Sequence, residues 1–146
     1  MSALELLKQN GWNPRKPAPP EEIQKLKDAF KIVLPSDYEE LMLNSNGCSV
    51  YQFEATLIIW STIEVLALFR EHDLYKGIPE SLIFGGDGGG TLYCYDLRTK
   101  DEKGSYGVFL VKEDDALYDE IYYRTSSLTE LLRHIVNNEP VNLRIR

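Results

Sequence analysis

The sequence predicts a single α+β domain in which a mostly antiparallel sheet of about five or six strands is flanked by N- and C-terminal helices. Three observations lead to this fold class. Helical patterns stand near both ends of the chain, strand-like runs occupy the middle and the second half, and a glycine-rich turn joins two of these runs. A chain of 146 residues is long enough to bury the core of one ordinary domain.

The chain divides into three parts. Residues 1–19 are expected to hold a short helix and a proline-rich connector, residues 20–139 the α+β domain, and residues 140–146 a C-terminal tail. The short helix covers Ala3 to Gln9, because an Asn-Gly pair follows as a stop signal. The prolines of the connector favour an extended backbone up to the start of the domain.

Two helices are predicted at the start of the domain. The first runs from Glu21 to about Lys31, with acidic residues in its first turn and apolar residues at helical spacing. The second begins with a capping box formed by Ser36 and Glu39. It stops at Asn44 to Gly47, where Asn46 and Gly47 are expected to adopt left-handed backbone conformations.

Two further helices are predicted from capping boxes. Ser61 and Glu64 open a helix that runs to about Glu71, and Ser127 and Glu130 open the last helix, which Pro140 ends. Apolar residues of the earlier helix are expected mostly on its inner face: Ile63, Leu66, Ala67 and Phe69.

The strands are predicted from apolar and β-branched runs. Residues 49–53 and 56–60 read as a hairpin around Glu54-Ala55. The nearly continuous apolar run at 106–112 indicates a central strand covered on both faces. An acidic loop at 113–119 separates it from a strand at 120–124.

The stretch from Leu82 to Asp96 predicts a hairpin around a turn rich in glycine. Three interpretations of that turn compete. A phosphate cradle fits poorly, because Thr91 and Leu92 stand where a P-loop requires Lys and Ser or Thr, and a strand follows instead of a helix. A wide turn or bulge at a sheet edge, with Asp87 bonded to its own backbone, is the leading structural explanation. The third is a flexible loop beside a binding cleft.

Charge and hydropathy exclude several classes of partner. The formal net charge of −7 argues against nucleic-acid binding, which normally needs a basic patch, and permits a basic partner. No apolar run approaches the length of a membrane span, and Glu5 and Lys8 interrupt the apolar residues that a signal peptide would need. We therefore expect a cytoplasmic protein, a monomer or weak dimer, that binds neither nucleic acid nor membrane.

The residues do not form a recognisable catalytic set, so we expect no enzyme activity and no cofactor. His72 and His134 lie outside any nucleophile elbow or metal-ligand spacing and are interpreted as surface or capping residues. Cys48 and Cys94 indicate neither a disulfide framework nor a zinc site. The acidic loop lacks the ligand pattern of an EF-hand.

A partner-binding surface is predicted where acidic loops and tyrosines meet if the strands are antiparallel. Tyrosine contributes rigid apolar area to an interface, while carboxylates steer a basic partner. Tyr122 and Tyr123 lie nearby, although about half of the tyrosines are expected to be core or cross-strand pairs. The residues proposed to contact the partner are Asp87, Tyr93, Tyr95, Asp96, Glu113, Asp114, Asp115, Tyr118 and Asp119.

Several motifs resemble a known family. They are Glu22-Ile23, then Leu34-Pro35-x-Asp37-Tyr38 leading to Asn46-Gly47, then Ile83 with the glycine loop, then Tyr93-x-Tyr95-Asp96. In this order they resemble the SUKH superfamily, the Smi- and Knr-type domain, over roughly Pro20 to Val136. The motif residues are interpreted as fold markers, because core packing and a helix stop explain them.

The resemblance implies a function that the residues alone do not give. Many bacterial SUKH proteins are immunity proteins that bind and neutralise a cognate toxin, often a nuclease. Under this hypothesis the acidic surface covers the nucleic-acid surface of a basic toxin. The alternative that the resemblance implies is a regulatory scaffold or adaptor of the Smi- and Knr-type.

Overall fold

A seven-stranded antiparallel sheet organises the part of the chain that the computed structural model describes, residues 1–51, 56–71 and 73–137. Its strands lie side by side in chain order, and each neighbouring pair is antiparallel. They are β1 (Asn13–Pro14), β2 (Cys48–Val50), β3 (Leu57–Ile59), β4 (Ser81–Gly86), β5 (Thr91–Asp96), β6 (Val108–Lys112) and β7 (Tyr123–Thr125). The α+β prediction is confirmed, with a strand count slightly above the expected five or six.

Five α-helices occur in the same described part of the chain: α1 (Ala3–Gln9), α2 (Pro20–Phe30), α3 (Ser36–Asn44), α4 (Thr62–Glu71) and α5 (Leu128–Val136). The capping box predicted for α4 is present, since the Ser61 amide donates to Glu64 Oε1 at 3.0 Å and the Glu64 amide donates to Ser61 Oγ at 3.2 Å. Ser127 caps α5 in the expected way, accepting from the Glu130 amide at 3.1 Å.

The capping box predicted for α3 is wrong. Ser36 is the first residue of the helix, the preceding Pro35 occupies the cap, and no side chain makes the capping hydrogen bond. Glu39 instead forms an ion pair with Lys27 of α2, with 2.9 Å between Nζ and Oε1. Because the Glu39 carboxylate pairs with a residue of another helix, it does not reach back to cap the start of α3.

Helix α3 ends at Asn44, within the predicted stop, but the conformation predicted for Asn46 is wrong. Of Asn46 and Gly47, only Gly47 has a left-handed backbone, with φ of +87°. Asn46 uses its side chain elsewhere, because its Oδ1 accepts from the Thr62 amide at 2.8 Å. This residue therefore joins the end of α3 to the start of α4.

The inner face of α4 is only partly as predicted. Leu66 is buried and Phe69 is half-buried against the core, but Ile63 and Ala67 are exposed. Val65 takes the inner position: it is fully buried and lies one helical turn before Phe69, on the same face of the helix. The spacing of apolar residues along a helix does not by itself show which of two adjacent apolar faces will be buried.

The predicted central hairpin is formed by β4 and β5, which lie in the middle of the sheet rather than at its edge. A bulge interrupts their register between Ile83 and Gly85. Gly85 is required by close packing, because an added Cβ would lie 2.2 Å from the Ile58 carbonyl oxygen of β3. Asp87 bonds to its own loop as expected, accepting from the amides of Gly89 at 2.7 Å and Thr91 at 3.0 Å.

The remaining predictions have mixed outcomes. The last strand is shorter than predicted, because Glu120 belongs to a 3-10 turn and β7 begins at Tyr123. The strands β2 and β3 pair as expected. Their turn at Glu54-Ala55, His72 and the segment from residue 138 onward lie outside the described residues.

Candidate protein-binding surface

Residues 113–120, called the acidic turn below, form an exposed acidic segment after β6. Two 3-10 turns, Glu113–Asp115 and Tyr118–Glu120, are joined by two residues. All charged side chains of the segment are carboxylates, and all of them are exposed. Leu117 is also 49% exposed, so an apolar side chain stands among these acids.

The acidic turn is held against the sheet at both of its ends. The Glu113 amide donates to the Gly90 carbonyl at 2.7 Å, which attaches the turn to the tip of the β4–β5 hairpin. At the other end Ile121 is buried in the core. Between them the Ala116 carbonyl packs so closely on Gly77 that an added Cβ there would lie 2.1 Å from it. The carboxylates are therefore presented on a fixed backbone.

Tyr118 fixes the middle of the acidic turn through a contact with Arg98, which in turn is paired with Asp96. The Arg98 guanidinium lies 3.7 Å from the centre of the Tyr118 ring, and the Tyr118 hydroxyl accepts from the Glu80 amide at 2.8 Å. Arg98 is itself held by Asp96, with 2.9 Å between Nη2 and Oδ2. Asp96 thus positions the turn through Arg98.

The carboxylate of Asp96 is buried and doubly paired. Arg124 reaches it from β7, with 3.2 Å between Nη1 and Oδ2, in addition to Arg98. Burial opposes ionisation, but the hydrogen bonds and charges of the two guanidinium groups outweigh it and hold the pKa of Asp96 below its ordinary value. An acid neutralised in this way does not fit the predicted partner contact.

Two of the predicted tyrosine contacts also lie in the core. Tyr93 is 2% exposed and Tyr95 is fully buried, so neither ring offers area to a partner. The Tyr95 hydroxyl donates to Asp37 Oδ1 at 3.2 Å, and its ring lies 5.9 Å from that of Tyr38. Both faces of β5 are buried. The alternation of tyrosines along the strand did not predict this.

The predicted residues therefore separate into three groups. Glu113, Asp114, Asp115 and Asp119 lie together in the acidic turn, and Asp87 lies in the loop of the β4–β5 hairpin, where Gly90 accepts from the Glu113 amide. Tyr118 and Asp96 support that turn. Tyr93 and Tyr95 belong to the core. Sequence reasoning missed Leu117, although a lone leucine inside a run of acids was the signal that could have identified it.

Sequence reasoning also missed a groove between α2 and α4. It encloses a space of about 310 Å³ and is lined by Ile63 and Ala67, which were expected on the inner face. Lys25 and Arg70 also line it, so its charge is opposite to that of the acidic turn.

The cysteine and histidine side chains that the structure describes lie in surroundings that do not favour catalysis. Cys48 and Cys94 are free and buried, and burial raises the pKa of the Cys48 thiol to about 12. His134, expected to be a surface or capping residue, is half-buried and hydrogen-bonds through Nδ1 to the Tyr123 hydroxyl. Within the described residues, no three His, Cys, Asp or Glu side chains are grouped to hold a metal ion.

None of the helices in the described part of the chain is long and apolar enough to cross a membrane. This finding concerns residues 1–51, 56–71 and 73–137 only.

Comparison with models of protein families identifies the family of this chain. The family model described as the SMI1 / KNR4 family (SUKH-1) matches residues 17–134. That range begins in the connector before α2 and ends within α5, and it contains the Leu34-Pro35-x-Asp37-Tyr38 motif, the glycine loop and the acidic turn. No curated protein matches the chain.

Proposed function

Since the chain belongs to the SMI1 / KNR4 family (SUKH-1), we propose that it is an immunity protein that binds and neutralises a cognate bacterial toxin domain. The toxin is a basic domain, often a nuclease in such systems. Neutralisation is by protein–protein contact and needs no catalytic residue or cofactor. The protein acts in the cytoplasm as a monomer or weak dimer.

The acidic turn is the observation that carries this proposal. It presents Asp114, Asp115 and Asp119 around the exposed side chain of Leu117, on a backbone fixed by Tyr118 and Ile121. A fixed surface loses little conformational entropy on binding, so more of the contact energy appears as affinity. The carboxylates steer a basic surface into contact, and the leucine supplies apolar area at the centre.

A basic surface that binds nucleic acid is the complementary partner. Nucleases collect Lys and Arg side chains to neutralise phosphates, and carboxylates can occupy the same positions. A protein that covers this surface blocks substrate binding. The proposal therefore accounts for the net charge of −7 and for the concentration of exposed acids next to the hairpin tip.

A pull-down followed by a growth assay tests the function. The tagged protein is used as bait in the native cell at moderate salt, and captured proteins are identified by mass spectrometry. We expect a basic domain that stops growth when it is expressed alone and is silenced when this protein is co-expressed. Captured partners with no effect on growth, or toxicity that this protein leaves unchanged, would contradict the proposal.

A regulatory scaffold of the Smi- and Knr-type is the second candidate. The groove between α2 and α4 favours it, because a scaffold needs more than one binding surface and this groove is lined by two cations and one acid, unlike the acidic turn. Recovery of kinases or envelope-synthesis proteins in the same pull-down would support this candidate over immunity.

A further inference from the structure

Helices α2 and α4 lie side by side and run in the same direction. Near their N-termini, the Thr62 hydroxyl donates to Glu22 Oε1 at 2.6 Å. Near their C-termini, the rings of Phe30 and Phe69 lie 4.2 Å apart. These contacts close the inner side of the helix pair, and the outer side is left as an open groove of about 310 Å³.

The floor of this groove is apolar and belongs mainly to α4. Ile63 is 64% exposed, Ala67 is exposed one turn further on, and Leu66 lies between them. Another concave space of about 290 Å³ lies on the other flank of the same helix, beside Trp60 and Leu68. The exposed apolar side chains of α4 therefore lie between two concave surfaces.

The charge along the groove has a definite sign. Lys25 of α2 and Arg70 of α4 line it, and neither makes an ion pair with any other described residue. Glu22 is the only acid among the lining residues, and its carboxylate accepts from Thr62 and, at 3.5 Å, from the Asn46 amide group. Glu22 makes no ion pair with a described residue either, so two cations face one carboxylate and the lining carries a net charge of +1.

We propose that this groove binds an acidic amphipathic segment of a partner protein. The segment places an apolar side chain on Ile63 and Ala67, and its carboxylates pair with Lys25 and Arg70. Two parallel helices with an apolar floor between them accept a third helix or an extended segment. A basic segment meets unpaired cations, which disfavours it by like-charge repulsion.

A second copy of this chain is the less suitable occupant. Leu117 and the acidic turn do combine an apolar side chain with carboxylates, but each copy carries a net charge of −7, which opposes self-association. The groove is also separate from the acidic turn in chain position and charge. It would allow one molecule to hold a basic partner and an acidic partner at different surfaces.

A random-peptide display selection on the full protein tests the proposal. We expect enriched peptides that combine Leu, Ile, Phe or Met with Asp or Glu. Their affinity should fall by about tenfold or more for the Lys25→Glu/Arg70→Glu variant, because two attractive charge contacts become repulsive. A selection repeated on that variant should instead enrich Lys and Arg beside the apolar residue, a result that unfolding cannot produce.

Matched variants separate the groove from net charge. Lys8→Glu/Lys103→Glu makes the same change in net charge at exposed residues outside the groove, and it should leave the peptides bound. Ile63→Glu should abolish binding without changing the melting temperature, because its side chain is largely exposed. Neither groove variant should alter toxin neutralisation, so this proposal and the proposed function fail independently.

Three results would overturn the proposal. One is enrichment of basic peptides on the wild-type protein. Another is enrichment that does not depend on Ile63, Lys25 and Arg70. The third is a concentration-dependent dimer in sedimentation velocity that both Ile63→Glu and Leu117→Ala abolish, which would assign the groove to a second copy of the chain.

Discussion

Asp37 connects three parts of the molecule through one carboxylate. Its Oδ1 accepts from the Tyr95 hydroxyl at 3.2 Å, and its Oδ2 accepts from the amide and the hydroxyl of Thr129, each at 3.1 Å. Thr129 lies in the first turn of α5, so Asp37 acts on the N-terminus of that helix from α3, where a negative charge is favourable. The Leu34-Pro35-x-Asp37-Tyr38 motif is thus a structural junction.

Asp37→Ala should lower the free energy of unfolding by about 2 kcal/mol, because it leaves the Thr129 amide and the Tyr95 hydroxyl without a charged acceptor. Urea denaturation measures the change. Glu40→Ala on the same helix is the control, since that side chain is exposed, and it should change stability by less than about 0.5 kcal/mol. Equal effects of the two substitutions would refute the role of Asp37.

Tyr38 and Tyr95 differ in the hydrogen bonding of their hydroxyl groups, and a substitution by Phe at each position tests this difference. Both side chains are fully buried, but the Tyr38 hydroxyl has no hydrogen-bond partner in the described part of the chain. Tyr38→Phe removes an unsatisfied group and should leave stability unchanged or raised, whereas Tyr95→Phe should cost about 1 kcal/mol. Thermal unfolding of both variants provides the measurement, and a larger loss for Tyr38→Phe would show that its hydroxyl has a partner.

The paired carboxylate of Asp96 predicts a pH dependence. Its pKa in the folded protein is below the ordinary value, so its stabilising contribution is present above the ordinary carboxyl pKa of about 3.9 and is lost as pH falls through the lowered pKa. Asp96→Asn should therefore destabilise the protein at neutral pH, and the difference from wild type should disappear in strong acid. A difference independent of pH would contradict this account.

At the level of elements, capping motifs in the sequence predicted helix starts correctly where both hydrogen-bonding partners belong to the motif itself. The capping residues of α4 and α5 identified both helix starts, because the partners lie three residues apart. The same pattern at Ser36 and Glu39 failed because Lys27 of another helix binds the carboxylate. The strand β1 had no periodic signal, since two residues of a proline-rich connector form it by pairing with β2.

The bulged hairpin predicts a strong difference between two of its glycines. Gly85→Ala should destabilise the protein by about 2 to 3 kcal/mol, because the new Cβ would lie 2.2 Å from the Ile58 carbonyl oxygen and force β3 and β4 apart. Gly89→Ala is the matched control, since its nearest neighbouring atom is the Asp87 Oδ1 at 3.6 Å. If the two variants unfold at comparable urea concentrations, close packing against β3 is not the reason that position 85 requires glycine.

At the level of the whole molecule, the sequence located the acidic part of the candidate surface better than the aromatic part. Carboxylates are almost never fully buried unless they are paired, so Asp114, Asp115 and Asp119 in an acid-rich loop were identifiable as exposed. Tyr93 and Tyr95 were not, because their burial depends on helices and loops that are distant in sequence and cover both faces of β5. The groove between α2 and α4 arises from tertiary packing in the same way.

The resulting charge distribution has two separate parts. The acidic turn carries exposed carboxylates around Leu117, and the groove carries Lys25 and Arg70, which make no ion pair with another described residue, around Ile63. A net charge of −7 describes neither surface by itself. Salt should weaken association at each surface, because exposed charges are screened over roughly 8 Å at physiological ionic strength.

The association rate constant of the captured toxin domain tests the central claim most directly. It is measured by stopped-flow fluorescence at low and high salt for wild type, for Asp114→Lys/Asp115→Lys/Asp119→Lys, and for the control Asp28→Lys/Glu40→Lys/Glu102→Lys at other exposed acids. Asp87 is left intact because its carboxylate builds the hairpin loop.

Both triple variants change the net charge equally, so any difference between them reports the position of the charges. We expect the acidic-turn variant to associate about tenfold or more slowly than the control at low salt, with the difference shrinking at high salt. Equal association rates for the two variants at low salt would contradict the assignment of the acidic turn as the toxin-binding surface.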